Sequence, residues 1–153
     1  GVNVGSHDPE ALDEALERAG VDKAELRWLQ VPEGADLAAW GAFRAASCPA
    51  ATLSSSIHDP ADIPGRLALG ANALLLSPVY ATTSKPGLPP LAPGVLRAAC
   101  LRAPGTVHAL GGVTADRVAA LVGAGAAGVA AISAVWQDGG VALAAALASL
   151  HSR

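Results

Sequence analysis

The strongest constraint in this sequence is a repeated alternation. Short runs rich in β-branched and apolar residues are each followed by an Ala- and Leu-rich stretch with helical spacing. The expected strands are Gly1–Val4, Leu26–Val31, Ala51–Ile57, Asn72–Val79, Val107–Gly111 and Gly128–Ala134. Strands that alternate with helices are the signature of repeated βα units and a parallel sheet. The punctuation agrees with that reading. Asp8-Pro9-Glu10, Asp59-Pro60 and Thr114-Ala115-Asp116 each put an oxygen-bearing side chain ahead of a helical run, where it can accept from the first free N–H groups. Gly20, Gly70 and Gly125 close Ala-rich runs just before the next strand, as helix C-caps where only glycine takes positive φ cheaply.

Six such units in 153 residues, with no linker or low-complexity tract between them, make one domain over residues 1–153. A closed eight-stranded barrel needs about 200 residues or more, so two units are absent or the barrel is open. The chain opens on a strand at Gly1, without Met, which points to an N-terminal truncation. Open sheet edges would be surfaces that a second copy could cover, giving a homo-oligomer.

The composition excludes several classes of function. The sequence is 52% hydrophobic, yet no apolar run reaches the 18 or so residues of a membrane span. Ten Lys and Arg are scattered along a chain of net charge −3, so neither nucleic acid nor an anionic membrane is an expected partner. Cys48 and Cys100 form no CxxC or Cys/His cluster and no signal peptide is evident; a reduced, cytoplasmic setting is the simplest reading.

In such folds chemistry sits where strand ends meet helix starts. The segment from Ala109 to Asp116 runs a strand into Gly111 and Gly112 and then a capped helix. Bare N–H groups there can cradle a phosphate, or the two glycines serve only a tight turn. About twenty residues on, the segment through Ile132 and Ser133 ends a second strand, and adjacent late strands of such barrels commonly share one phosphate. Upstream, Thr82, Thr83, Ser84 and Lys85 place hydroxyls and an ammonium in a loop rich in Pro and Gly. That loop could bind phosphate or be a solvated connection. His58 follows a strand at the same end and can move a proton near neutral pH. Asp59 beside it is better placed to cap a helix than to orient the ring, and His7, His108 and His151 read as structural or exposed.

Four ordered segments, Ser56-Ile57-His58-Asp59-Pro60, the run from Leu75 through Ser77-Pro78-Val79-Tyr80 to Gly87, Ala109-Leu110-Gly111-Gly112-Val113-Thr114, and Gly128 to Ala134, together resemble the thiamine phosphate synthase and TenI superfamily. The resemblance is closest from Ala51 to Val135. It implies a TIM (β/α)8 barrel of which about six units are visible, and a small phosphorylated thiazole as substrate. It also implies that Gly112 and the Ile132–Ser133 backbone hold the thiazole phosphate, while Thr82, Ser84 and Lys85 occupy the phosphate or pyrophosphate loop.

Two chemistries exist within that family. Synthases join a hydroxymethylpyrimidine diphosphate to thiazole phosphate with Mg²⁺, whereas a TenI-like thiazole tautomerase moves a proton without a metal or other cofactor. The loop reads Thr82-Thr83-Ser84-Lys85 rather than Thr-x-Thr-Lys, and the turn reads Gln30-Val31-Pro32-Glu33-Gly34; both depart from the synthase pattern toward TenI. Asp8 and Asp36 are displaced from the synthase metal positions, and Gln30 stands where the TenI form has a His. The leading expectation is a tautomerase with His58 as general acid and base and no metal ligands. The alternatives are a Mg²⁺-dependent synthase and a non-catalytic protein that binds thiazole or thiamine phosphate.

Overall fold

A computed structural model describes residues 2–4, 8–84, 87–133 and 140–151. Helices and strands alternate as the sequence pattern implies: β1 (Val2–Asn3), α1 (Pro9–Ala19), β2 (Trp28–Val31), α2 (Leu37–Ser47), β3 (Thr52–Ile57), α3 (Ile63–Ala68), β4 (Ala73–Leu76), α4 (Val95–Arg102), β5 (Val107–Leu110), α5 (Val118–Gly123), β6 (Gly128–Ala130) and α6 (Val141–His151). The chain divides into two compact units. One comprises Gly1–Ile57 and Ala61–Leu74, the other His58–Pro60 and Leu75–Arg153.

In the first unit the strand order is β1-β2-β3 followed by the opening half of β4. Val2 and Asn3 pair in parallel with Leu29 and Gln30, and Trp28 through Val31 pair with Thr52 through Ser55. Asn72 docks on β3 through both its groups: its N–H donates to the Leu53 carbonyl at 2.9 Å, and its Oδ1 accepts from Leu53 N–H at 2.7 Å. Leu29, Val31, Leu37, Trp40, Leu53, Ile57, Ile63 and Leu74 form the buried core, with Trp40 edge-on to Phe43 at 5.7 Å.

One strip of this unit is polar. Ser54 is fully buried, so its hydroxyl needs partners. It accepts from Trp28 Nε1 at 2.7 Å and donates to Gln30 Oε1, while Gln30 Nε2 donates to Ser56 Oγ at 2.9 Å. Gln30 is thereby an element of the β2–β3 packing.

In the second unit the closing half of β4 is followed by β5 and β6, and His108 through Leu110 pair in parallel with Gly128 through Ala130. Gly128 is where the His108 ring lies against the strand; a Cβ there would meet His108 Cδ2 at 2.7 Å. Leu76, Ala99, Cys100, Val107, Ala109, Val118 and Leu121 make the core of this unit.

The caps bear out most of the punctuation. Asp8 accepts from Ala11 N–H at 2.8 Å with Pro9 at the first turn. Gly20, Gly70 and Gly125 all have positive φ, and past each glycine the next N–H reaches back five residues: Val21 to Leu16, Ala71 to Arg66, Ala126 to Leu121. This is the Schellman arrangement, repeated three times. Two starts differ from expectation. After Asp59 the chain makes a 3-10 turn over Pro60–Asp62, and α3 begins only at Ile63. Thr114 makes no side-chain cap bond to the helix behind it.

The strands are also shorter than the apolar runs. β4 stops at Leu76 rather than Val79, because Pro78 brings no N–H to a ladder. β6 stops at Ala130; Ile132 and Ser133 lie beyond the strand, and Ala134 lies outside the described residues.

Candidate functional site

The site grows from the end of β5. Gly111 and Gly112 have φ of +96° and +61°, which side chains rarely adopt. Space also excludes a side chain. A Cβ on Gly111 would lie 2.8 Å from Pro78 Cα, and one on Gly112 would lie 2.5 Å from the Ala81 carbonyl and 2.8 Å from Tyr80 Cβ. The segment leaving β4 is laid directly on the glycine pair, held by Val79 N–H on the Leu110 carbonyl at 2.9 Å and Tyr80 N–H on the Gly111 carbonyl at 3.1 Å. The glycines therefore satisfy a turn and a close approach. Among the described residues, neither the Gly112 N–H nor the Val113 N–H meets an acceptor, so the turn also presents two donors.

Beside this turn lies a cavity of about 230 Å³. Its walls are Ser77 and Pro78, the run Ala81 to Ser84, the run Leu110 to Thr114, Arg117, and Ala131, Ile132 and Ser133. The structure thus brings together Thr82, Ser84, Gly111, Gly112, Ile132 and Ser133 from three βα junctions. Thr82 and Ser84 are already coupled, with Ser84 N–H donating to Thr82 Oγ1 at 3.3 Å. Ile132 is 54% exposed, so this wall faces outward. Lys85 lies outside the described residues. The cavity is below the roughly 300–1,000 Å³ of drug-sized pockets, a size that suits one small molecule.

His58 does not line the cavity but is bonded to a residue that does. Its Nδ1 lies 2.6 Å from the Ser77 carbonyl and 3.2 Å from Ser77 Oγ. A carbonyl can only accept, so Nδ1 carries the proton and the neutral ring has its basic lone pair on Nε2. Ser77 is 3% exposed, which makes it a rigid anchor for that tautomer.

Arg117 was not legible in the sequence as part of the site, and Thr114, expected as a helix cap, makes a different bond. Arg117 donates from Nη1 to the Gly112 carbonyl at 2.6 Å, and its guanidinium lies over the Tyr80 ring at 4.5 Å. It is the charged side chain among the described cavity walls. Thr114 turns its hydroxyl to Asp116; that bond, then the Asp116 backbone N–H, holds the Asp116 carboxyl below its usual range. A single Arg at the start of a helix looks like a solvated charge in sequence, and only its position five residues past Gly112 could have flagged it.

The residues considered for a metal serve other purposes. Asp8 caps α1, and Asp36 caps α2 by accepting from Ala38 and Ala39 N–H at 3.0 and 3.1 Å. Among the described residues no three His, Cys, Asp or Glu side chains gather into a possible metal site. Cys48 and Cys100 are buried free thiols, in the core rather than in the cavity wall. No helix among the described residues is long and apolar enough to cross a membrane.

Known proteins fit this architecture. A thiamine-phosphate synthase of Salinispora arenicola is 42% identical over 103 residues, 67% of this chain and 50% of the relative. One of Methanoculleus marisnigri is 37% identical over 138 residues, 88% of this chain and 60% of the relative. The chain spans about half the length of the curated relatives it matches. A solved thiamine phosphate pyrophosphorylase of Pyrococcus furiosus superposes with TM-score 0.55 at 16% identity, over 87% of this chain and 71% of that one; it shows a shared TIM-like parallel α/β fold. The family model described as thiamine monophosphate synthase, TMP-TENI, matches residues 31–135, the stretch that holds β3 through β6, the glycine pair and His58. The chain belongs to the thiamine monophosphate synthase and TENI family of thiamine biosynthesis.

Proposed function

We propose that the protein is a TenI-like thiazole tautomerase. The observation that carries this reading is the His58–Ser77 bond, which fixes the ring tautomer beside a small cavity whose Gly112 and Val113 N–H groups meet no acceptor among the described residues. The phosphate of a carboxythiazole phosphate docks on the Gly111–Gly112 turn and on Ser133. Thr82 and Ser84 add hydroxyls, and Lys85, in the same loop of the sequence, neutralises charge. His58 Nε2 takes a proton from one position of the thiazole and returns one at another as the double bond moves into the ring. Atoms are conserved and the imidazole ends neutral, as it began. Positioning by the phosphate then supplies the remaining rate enhancement.

The test is a metal-free proton NMR assay with the carboxythiazole phosphate tautomer, run beside His58→Asn. Isomerisation is expected to fall by roughly 10²–10⁴ in the variant with thiazole phosphate affinity nearly intact. Equal turnover in the two proteins, or a variant that loses binding alone, would overturn the assignment.

A second reading is favoured by the named relatives, which are thiamine-phosphate synthases. In that case thiamine phosphate forms only with both hydroxymethylpyrimidine diphosphate and thiazole phosphate, and only with Mg²⁺. Its cation would need ligands supplied largely by the diphosphate, because the side chains described above do not gather around one.

A further inference from the structure

We propose that Arg117 is a positioning residue for the anion site, acting through the Gly112–Val113 peptide. This rests on the reading of the cavity as a phosphate site. In a trans peptide the carbonyl of one residue and the N–H of the next point in opposite directions. Arg117 holds the Gly112 carbonyl at 2.6 Å, so it sets the direction of the Val113 N–H, which meets no acceptor among the described residues. Val113 is a wall of the cavity. A cation on the carbonyl also polarises the peptide and strengthens its N–H as a donor.

The guanidinium is itself held. It stacks on Tyr80 at 4.5 Å, and the Tyr80 N–H is bonded to the Gly111 carbonyl. Gly112 has no room for a Cβ against Tyr80 and Ala81. Tyr80, the glycine pair and Arg117 thus interlock, and a planar fork suits both stacking and donation in a way an ammonium does not. The consequence is selectivity: a prealigned donor favours the phosphorylated ligand over its alcohol.

The experiment measures the affinity of thiazole phosphate and of the unphosphorylated thiazole alcohol for the wild-type protein, Arg117→Gln and Arg117→Lys, and follows the Val113 amide by ¹⁵N–¹H NMR without ligand. Arg117→Gln is expected to weaken the phosphorylated ligand by roughly tenfold or more, to leave the alcohol unchanged, and to move the Val113 amide proton upfield. Arg117→Lys, which keeps the charge, is expected to fall nearer to Arg117→Gln than to wild type. Tyr80→Leu leaves the arginine in place and is expected to cause a smaller change in the same direction, which keeps the test open should the arginine variants fold poorly. Wild-type affinity in Arg117→Lys would mean that charge alone matters and would overturn the proposal. So would unmoved phosphate affinity in Arg117→Gln, or in Tyr80→Leu with an unmoved Val113 amide. A wild-type protein with no preference for the phosphorylated ligand would take down the phosphate-site reading itself, and this inference with it.

Discussion

At the scale of single residues the site shows what residue type can and cannot disclose. The glycine pair was visible because two adjacent glycines after an apolar run are unusual. The reason for them was not visible, since it lies in Tyr80 and the Ala81 carbonyl some thirty positions away. His58 was legible as an imidazole at a strand end. Its partner is a backbone carbonyl, which every residue has, so nothing in the sequence marks Ser77 as the one that fixes the tautomer. A comparison of glycines separates conformation from crowding. Gly20 and Gly112 share nearly the same φ, 66° and 61°, but a Cβ meets nothing within 4 Å at Gly20 and meets backbone at 2.5 Å at Gly112. Gly20→Ala should destabilise by about 1–2 kcal/mol from the left-handed conformation alone, and Gly112→Ala by about 1–3 kcal/mol more. Urea unfolding of the two variants checks this, and equal losses would mean that the Tyr80–Ala81 segment moves aside at little cost.

At the scale of elements, all six expected strands are present among the described residues, and the errors lie at boundaries. Apolar content carried the expected strand on to Val79, but Pro78 breaks the ladder and Val79 donates to the end of β5 instead. Helix starts were legible where an Asp had free N–H groups within reach and misread where a 3-10 turn intervened, as after Asp59. Asp36, weighed in the sequence as a displaced metal ligand, accepts from two N–H groups at the start of α2. Asp36→Ala should therefore cost about 1 kcal/mol, within the 0.5–2 kcal/mol range for lost N-caps. Asp62, which precedes α3 without a side-chain cap bond, should tolerate the same change with little loss. Thermal melts of the two variants distinguish a capping role from none; equal shifts would show that Asp36 acts in some other way.

At the scale of the whole chain, the βα class was legible from repetition alone, whereas the division of the molecule was not. The boundary between the two compact units falls inside β4, between Leu74 and Leu75, in a continuous run of leucines where composition does not change. Each unit carries one buried thiol, Cys48 in the first and Cys100 in the second. Burial pushes both thiols up from their ordinary range; at Cys48 the nearby Arg44 charge opposes the shift without cancelling it. In the unfolded chain a thiol ionises near pH 8.5. Between that value and the higher folded one, the native protein keeps protons that the unfolded chain releases. The stability linked to these thiols is therefore fully present below about pH 8.5 and is lost as pH rises above it. Urea midpoints taken from pH 7 to pH 10 should fall more steeply in the wild-type protein than in a Cys48→Ala, Cys100→Ala variant, because the other titrating groups are common to both. Iodoacetamide should alkylate each thiol slowly in native buffer and at the rate of a free thiol once its unit opens. Parallel pH curves for the two proteins would mean that the thiols ionise alike in the folded and unfolded chains, and fast alkylation of one thiol at neutral pH would identify the unit whose core is open.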